Sequence, residues 1–501
     1  MASINNGHAA VGAANGIQQK KLLQQQQAHG TNMAQLPVNA NDYALAAVRD
    51  DAELKLLAEY AVDYAHSIGL VGRSGDDKYK HSNDVSLYEQ ATDAQQSLNE
   101  LYFRIACDHD FLMEAYKDVI KGDPFHAKLI ELAKVIQKEG IRQPLMVGLQ
   151  RADYLSHWNE AAQKMELKQV EVNPGQIGGP GAATAVSKCH QNRPGPGIAR
   201  TLYQAWKMFG DPNAIILYVN QPDLFPVCHF EQLQFVMFQV EKLAKQDGNH
   251  VLVRRASFIE LRKRLSLDEA GDYSLYFDGT KRVALVHMAY GYLPEHYPEK
   301  DFDLRVMMER STAILSPNLR LQLAGTKKFS SKPGTLEHFF PNDPQQVAKI
   351  RNTFTELWGL EENDDVTKAV IVDAMKNCHD YVMKSQMDGG HGIYFDEEIP
   401  KMLATLSLEE RGAFILMKKI NPVVAKNFMV RPFEKPHQEE VNSEMGIYGS
   451  LIGDQSTGKV LVNSVNGHLV RSKAASQNHG GVCSGGGVID SVLLFPSSEF
   501  R

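Results

Sequence analysis

The sequence predicts a mixed α/β (α+β) protein, and three observations predict it. Short, fully apolar runs at residues 213–219 and 413–417 have the length and composition of buried strands. Stretches with apolar residues three and four apart, at 52–69, 230–245 and 343–358, have the period of helices, and the last two lie between these runs. Residues 446–474 read as a long antiparallel pair that turns at Asp454-Gln455-Ser456-Thr457-Gly458-Lys459. Helix and strand therefore alternate along the chain.

The 501 residues are enough for several structural units with a large core, and a composition of 43% apolar and 23% charged residues is ordinary for a globular protein. A net charge of −7 argues against a nucleic-acid partner, which calls for a basic face. No apolar run approaches the ~18 residues that span a bilayer, so no membrane partner is expected. The first forty residues carry no apolar leader segment. A native start implies a cytoplasmic protein, and a start left by leader removal implies a secreted one. The five cysteines, Cys107, Cys189, Cys228, Cys378 and Cys483, are widely spaced without a C-x-x-C pair. They read as reduced thiols, each a small buried apolar residue, and not as a disulfide framework or zinc site.

Each element has its own justification. Residues 1–41, with the run from Gln18 to Gln27, cannot build a core and read as a disordered tail. Leu54, Leu57, Ala58, Ala61, Val62 and Ala65 give the first helix its apolar face. Residues 210–312 read as a separate module set between 42–209 and 313–501. In it the run 213–219, the helical stretch 230–245 and a second strand at His250-Val251-Leu252-Val253 form a strand–helix–strand unit, which implies parallel pairing. A hairpin follows, 273–277 and 283–288, around Asp278-Gly279. Asp343 and Pro344 start the helix at 343, Val347, Ile350, Phe354 and Leu357 give it one face, and Gly359 stops it. Tyr381-Val382-Met383-Lys384 is a strand that feeds a glycine loop.

That loop, Lys384 to Gly390, is the first chemical feature. Gly389 and Gly390 permit backbone conformations that turn several N–H groups toward an anion, Lys384 adds a cation, and Asp388 offers a hard oxygen for Mg²⁺. The spacing differs from the G-x-x-x-x-G-K-[ST] phosphate loop, and alone it fits an ordinary exposed turn as well. In Gln169-Val170-Glu171-Val172-Asn173, strand alternation puts Glu171 and Asn173 on one face, where both could share a cation, or simply face solvent. Arg471 and Lys473 likewise share a strand face and aim two cations at one spot, or lie on a solvated face. Lys327-Lys328 adds a further basic pair.

Together these segments resemble eukaryotic glutathione synthetases. Tyr292-Leu293-Pro294, Glu309-Arg310-Ser311, Gln322-Leu323-Ala324-Gly325-Thr326-Lys327-Lys328, Ser443-Glu444-Met445-Gly446-Ile447-Tyr448-Gly449 and Gly467-His468-Leu469-Val470-Arg471-Ser472-Lys473-Ala474 follow the family's order between about residues 45 and 490. The resemblance implies an ATP-grasp fold with an inserted parallel α/β substrate-binding domain, a homodimer, and ATP-driven ligation of γ-glutamylcysteine to glycine through an acyl phosphate. It implies Mg²⁺ at Glu171, Asn173 and Asp388. It implies ATP contacts from Glu171, Lys327, Lys384, Gly389, Gly390, Tyr394, Met417, Ile420, Glu444 and Lys473. The substrates would face Arg151, Gln232, Tyr292, Arg471, Val482 and Cys483, with Arg471 and Lys473 in catalytic positions.

The sequence also departs from the family. Asp388 stands where the family has glutamate, His479 replaces an aspartate beside ATP, and the glycine loop is one residue short. The substrate half differs more: 174–181 lacks the serine of the family's dipeptide loop, Ala289 replaces an arginine, Pro226 and Cys228 replace a polar pair, and Cys483-Ser484 replaces small alanines. Lost polar partners weaken binding of a polar ligand. The alternative expectation is therefore a divergent member with changed specificity, or a secreted, effector-like protein that binds nucleotide without catalysis.

Overall fold

The computed structural model describes residues 81–175, 177–189, 197–220, 236–297, 302–361, 364–387, 392–429, 437–478, 482 and 486–495. The tail and the helix expected at 52–69 lie outside these.

A six-stranded antiparallel sheet is the centre of the described molecule. It contains β1 (Leu145–Asn159) and β2 (Lys164–Pro174). The second sheet, also six-stranded, is built on β3 (Ile215–Asn220), β4 (Val253–Ser257) and β5 (Lys281–Met288). The third holds β6 (Leu357–Gly359), β7 (Tyr381–Ser385), β8 (Ile393–Phe395) and β9 (Phe414–Lys418). The central sheet is completed by β10 (Ala425–Met429), β11 (His437–Asp454), β12 (Lys459–Ala474) and β13 (Gly487–Asp490), in the order β13-β12-β11-β1-β2 with β10 on β11.

The long strands are buried on both faces, and alternation assigns their residues. Met146, Ala152 and Tyr154 of β1 join one core, beneath α1 (Val85–Cys107). Val147 and Leu149 join the other, with Leu202, Tyr203 and Trp206 of α2 (Gly197–Phe209) and with Ile216 and Tyr218 of β3. On this second face the apolar pattern breaks at one end of the sheet. Val147 and Leu149 give way to Arg151 and Asp153, Tyr448 to Gly446 and Glu444, and Leu469 to Arg471 and Lys473. Adjacent strands thus bring their charged residues together.

In the second sheet β3 runs parallel to both β4 and β5, as the strand–helix–strand pattern predicts. The helix between them is α3 (Phe238–Gln246), and residues 230–235 are outside the described set. The second strand is displaced from 250–253 to Val253–Ser257. Its apolar run supplies the buried Val251 and Val253, but the pairing of Val253 with Ile216 carries the strand on through the half-buried Arg254 and the exposed Arg255. The hairpin forms at Asp278-Gly279, both with positive φ (53° and 69°).

The helix expected over 343–358 stops early, as α4 (Pro344–Arg351), with Asp343 accepting from the Gln346 N–H. The β-branched Thr353 ends it: its N–H and Oγ both bond to the Ile350 carbonyl, and its own carbonyl accepts from the Gln169 N–H of β2. Leu357–Gly359 is then drawn into the third sheet against Ile415–Met417. That sheet has the order β6-β9-β7-β8, all antiparallel, and carries α5 (Asp365–Lys376) and α6 (Glu398–Thr405) on one face. Tyr381, Met383, Leu416, Ile371, Ile399 and Leu403 form its small core. Val382, Lys384 and Met417 therefore point to its opposite face. Among the described residues no helix is long and apolar enough to cross a membrane.

Candidate functional site

The charged end of the central sheet holds a connected set of side chains. Arg151 and Asp153, two apart on β1, form a bidentate ion pair, Nε–Oδ1 2.7 Å and Nη2–Oδ2 2.8 Å. Asp153 is fully buried, and it also accepts from Arg471 Nη2 of β12 at 3.2 Å and from Asn173 Nδ2 of β2 at 3.0 Å. Asn173 Nδ2 reaches Glu171 Oε1 at 3.2 Å, and Arg471 is paired with Glu444 of β11. The set spans four adjacent strands. Glycine at 446 is necessary to it: a Cβ there would lie 2.6 Å from Asp153 Oδ1 and 2.8 Å from Arg151 Cδ.

Two lysines approach from the other side. Lys384, buried on β7, donates to the Val170 carbonyl at 2.9 Å, next to Glu171. Lys327 donates to the Met387 carbonyl at 2.8 Å, at the root of the glycine loop. Burial pushes the Glu171 carboxyl up, but Lys327, Lys384, Arg151 and Arg471 together outweigh it and hold the group at about 2. Burial lowers the Lys384 ammonium to about 8, with Glu171 and Asp153 opposing that fall and Lys327 adding to it. Burial and Arg151 lower Arg471. Arg151 is raised: its desolvation is outweighed by Asp153.

Not every expected residue joins this cluster. Lys473 shares the strand face of Arg471 but not its target. Its ammonium turns to the carbonyls of Gln477 and Asn478, at 2.5 and 2.8 Å, because the chain after β12 folds back over it. Tyr394 lies opposite Met383 on β8 and packs on the small core, on the face away from Lys384 and Met417. Met417 and Ile420 are buried at the end of β9. Tyr292 follows Gly291 (φ 105°) in the loop after β5, and its N–H donates to His296 Nδ1. Val482 and Ala289 pack against the second core. Asp388, Gly389, Gly390, Gln232 and Cys483 lie outside the described residues, as do Pro226, Cys228, His479 and Ser484. Among the described cysteines, Cys107 and Cys378 are free thiols, Cys378 buried and Cys107 half-buried.

Sequence reasoning missed Asp153 and Tyr448. The first had a signal: Arg151 and Asp153 alternate onto the face that Val147 and Leu149 occupy, and buried charges at i and i+2 imply a pair. Tyr448 donates to the Gly178 carbonyl at 2.9 Å, which also accepts from Arg151 Nη1 at 3.0 Å. The departing loop 174–181 thus places a main-chain carbonyl on Arg151.

The sequence matches the family model for the eukaryotic glutathione synthase ATP-binding domain over residues 53–194 and 188–494. The chain belongs to the eukaryotic glutathione synthetase family. Its fold is the mixed helix-and-sheet ATP-grasp fold of that family. Human glutathione synthetase is 31% identical over 479 residues, which cover 88% of this chain and 97% of the human protein. The bovine enzyme is 33% identical over 482 residues, with the same 88% and 97% coverage. A solved structure, a glutathione synthetase-like effector from Globodera pallida in its apo form, matches with a TM-score of 0.72 and 29% identity. That match covers 90% of this chain and 99% of the effector. Homology to glutathione synthetases makes this chain a ligase-like protein of an ATP-binding family.

Proposed function

We propose that the protein is an ATP- and Mg²⁺-dependent carboxylate–amine ligase that couples a γ-glutamyl dipeptide, γ-glutamylcysteine in the first instance, to glycine, as a homodimer. The observation that carries this reading is the ionised Glu171 set between Lys327 and Lys384, because hard oxygens beside lysines suit a metal–polyphosphate ligand. The donor chemistry fits Mg²⁺. Glu171 is charged at neutral pH, Asn173 lies beside it with Nδ2 donating to Glu171 and its Oδ1 left to serve a cation, and Asp388 would complete the set. When bound, the ion would neutralise charge on the phosphoryl oxygens.

The chain's own residues supply the rest. Lys384 and Lys327 exchange their carbonyl partners for phosphate oxygens, with Gly389 and Gly390 offering N–H groups. Met417 and Ile420 form an apolar wall for the base, with Glu444 and Lys473 around the nucleotide; Tyr394, on the opposite face of β8, supports this wall only through the small core. Arg151, Gln232, Tyr292 and Arg471 orient the dipeptide, and Val482 and Cys483 bound the amine's pocket. A dipeptide carboxylate oxygen attacks the γ-phosphorus and ADP leaves. The amine then attacks the acyl carbon, loses a proton and expels phosphate. Arg471 stabilises the developing charge, joined by Lys473 once it leaves the Gln477 and Asn478 carbonyls, and exclusion of water protects the acyl phosphate.

A second reading has one specific observation in its favour: the Gly178 carbonyl on Arg151 occupies a donor that a substrate carboxylate would need. It is a member with altered specificity, or one that binds nucleotide without turnover, as befits likeness to an effector. An assay of ADP release with ATP, Mg²⁺, γ-glutamylcysteine and glycine separates the two. Turnover of roughly 1–10³ s⁻¹ supports the first reading. ADP release only with another amine or dipeptide, or none at all, supports the second.

A further inference from the structure

We propose that Asp153 is a positioning residue that fixes Arg151, Arg471 and Asn173 in one rigid frame, with Gly446 as the gap that makes room for the Arg151–Asp153 pair. The inference rests on the ligase reading for its consequence, but its geometry stands apart from it.

Asp153 is fully buried in the middle of the sheet, where a lone carboxylate is strongly disfavoured. Its two oxygens take four hydrogen bonds: Oδ1 from Arg151 Nε, and Oδ2 from Arg151 Nη2, Arg471 Nη2 and Asn173 Nδ2. The donors come from three strands, β1, β2 and β12. Arg471 is separated from Asp153 by β11, and the residue of β11 directly opposite Asp153 is Gly446. Any side chain there would meet Asp153 Oδ1 and the Arg151 stem, so the bare backbone leaves room for the buried Arg151–Asp153 pair. Arg151 has no freedom left: Nε and Nη2 are held by Asp153, and Nη1 by Gly178.

The frame also joins two halves. Through Asn173 it touches Glu171, and through Arg471 it touches Glu444. Lys384 and Lys327 take no part, since each rests on a main-chain carbonyl. Loss of Asp153 should therefore free both guanidinium groups and leave the lysines in place. In the ligase reading this raises KM for the dipeptide and lowers kcat, each by tenfold or more, and through the released Asn173 it weakens Mg²⁺ binding more than the lysines' hold on the nucleotide.

The test is run on the full chain, with Asp153→Asn, which keeps the shape and removes the charge, and Gly446→Ala, which changes no charge. ¹⁵N-arginine labelling reports the Nε–H signals, assigned through Arg151→Lys and Arg471→Lys. A slowly exchanging Arg151 Nε–H signal is expected in the wild type, because that N–H donates to Asp153 Oδ1. It should be lost in both Asp153→Asn and Gly446→Ala, while titration with a metal-free, non-hydrolysable ATP analogue stays within threefold of the wild type. Persistence of the protected Arg151 signal in either variant overturns the proposal, as does an affinity for the metal-free analogue that falls in parallel with it. If Asp153→Asn does not fold, Gly446→Ala decides. A wild-type chain without ligase activity would refute the function and leave this outcome readable, because neither readout needs turnover.

Discussion

Lys384 and Lys327 each rest on a single main-chain carbonyl, of Val170 and Met387, whereas Arg151 and Arg471 converge on the carboxylate of Asp153. A neutral carbonyl is a weak holder for a cation, and a polyphosphate displaces it readily. A buried carboxylate with four donors is a strong one, and an incoming anion gains little by competing with it. The proposed nucleotide side is therefore poised to exchange partners, and the proposed substrate side is satisfied from within. The sequence departures expected from the family resemblance are heavier on the substrate side: the two lysines are kept, with changes at Asp388, the glycine loop and His479, whereas the loop at 174–181 that caps Arg151 and several substrate positions differ.

The largest effect should come from Lys384→Ala. It removes a buried cation that nothing nearby replaces, so turnover should fall about 10²–10³-fold, with nucleotide binding lost in calorimetry. Unchanged activity would break the comparison at its stronger end. The core of the third sheet offers the next test. Met383→Ala empties a fully buried position among few neighbours and should cost about 2–5 kcal/mol in denaturant unfolding. Nucleotide affinity should fall with it, while protection of the Arg151 guanidinium stays.

Acid separates the regions by stability. His287, buried on β5 against Tyr218, and His468, on β12 beside Tyr88, are both held neutral by burial at about 4, below the ordinary 6.5. The unfolded chain binds more protons between those values. Stability should thus be full above pH 6.5 and decline as pH falls to about 4, by up to about 3 kcal/mol per histidine. Replacing either histidine by glutamine should flatten the decline in a pH series of thermal melts. The smallest effect belongs to Tyr448→Phe. It removes one hydrogen bond to Gly178, costs about 1 kcal/mol, and loosens the cap on Arg151. Dipeptide affinity should rise a few-fold, with nucleotide affinity unchanged.

The part of the fold that was legible in the sequence was the part written in periodicity. The strands around residues 215, 381 and 414, the hairpin at Asp278-Gly279 and the long pair closing at Asp454 to Lys459 follow from alternation and turn chemistry. The end of α4 did not, because the bond from the Gln169 N–H to the Thr353 carbonyl is a long-range pairing that overrides a continuing helical period. The shift of β4 has the same cause in its register with β3. In the site, Glu171 and Asn173 were readable from their spacing, since alternation on one strand is local. Asp153 was visible only as an i, i+2 partner of Arg151, and the opening at Gly446 not at all, for it depends on which strand lies opposite. The separate targets of Arg471 and Lys473 were equally hidden, because a shared face does not say what each side chain meets.

The central claim is that the lysines around Glu171 form a working nucleotide grip. Calorimetric titration of the full chain with ATP and Mg²⁺ tests it most directly, with Lys384→Ala as control. The account predicts saturable heat with one site per chain, dependent on Mg²⁺ and abolished in the variant. No heat and no thermal shift in the wild type, or equal binding by Lys384→Ala, would contradict it.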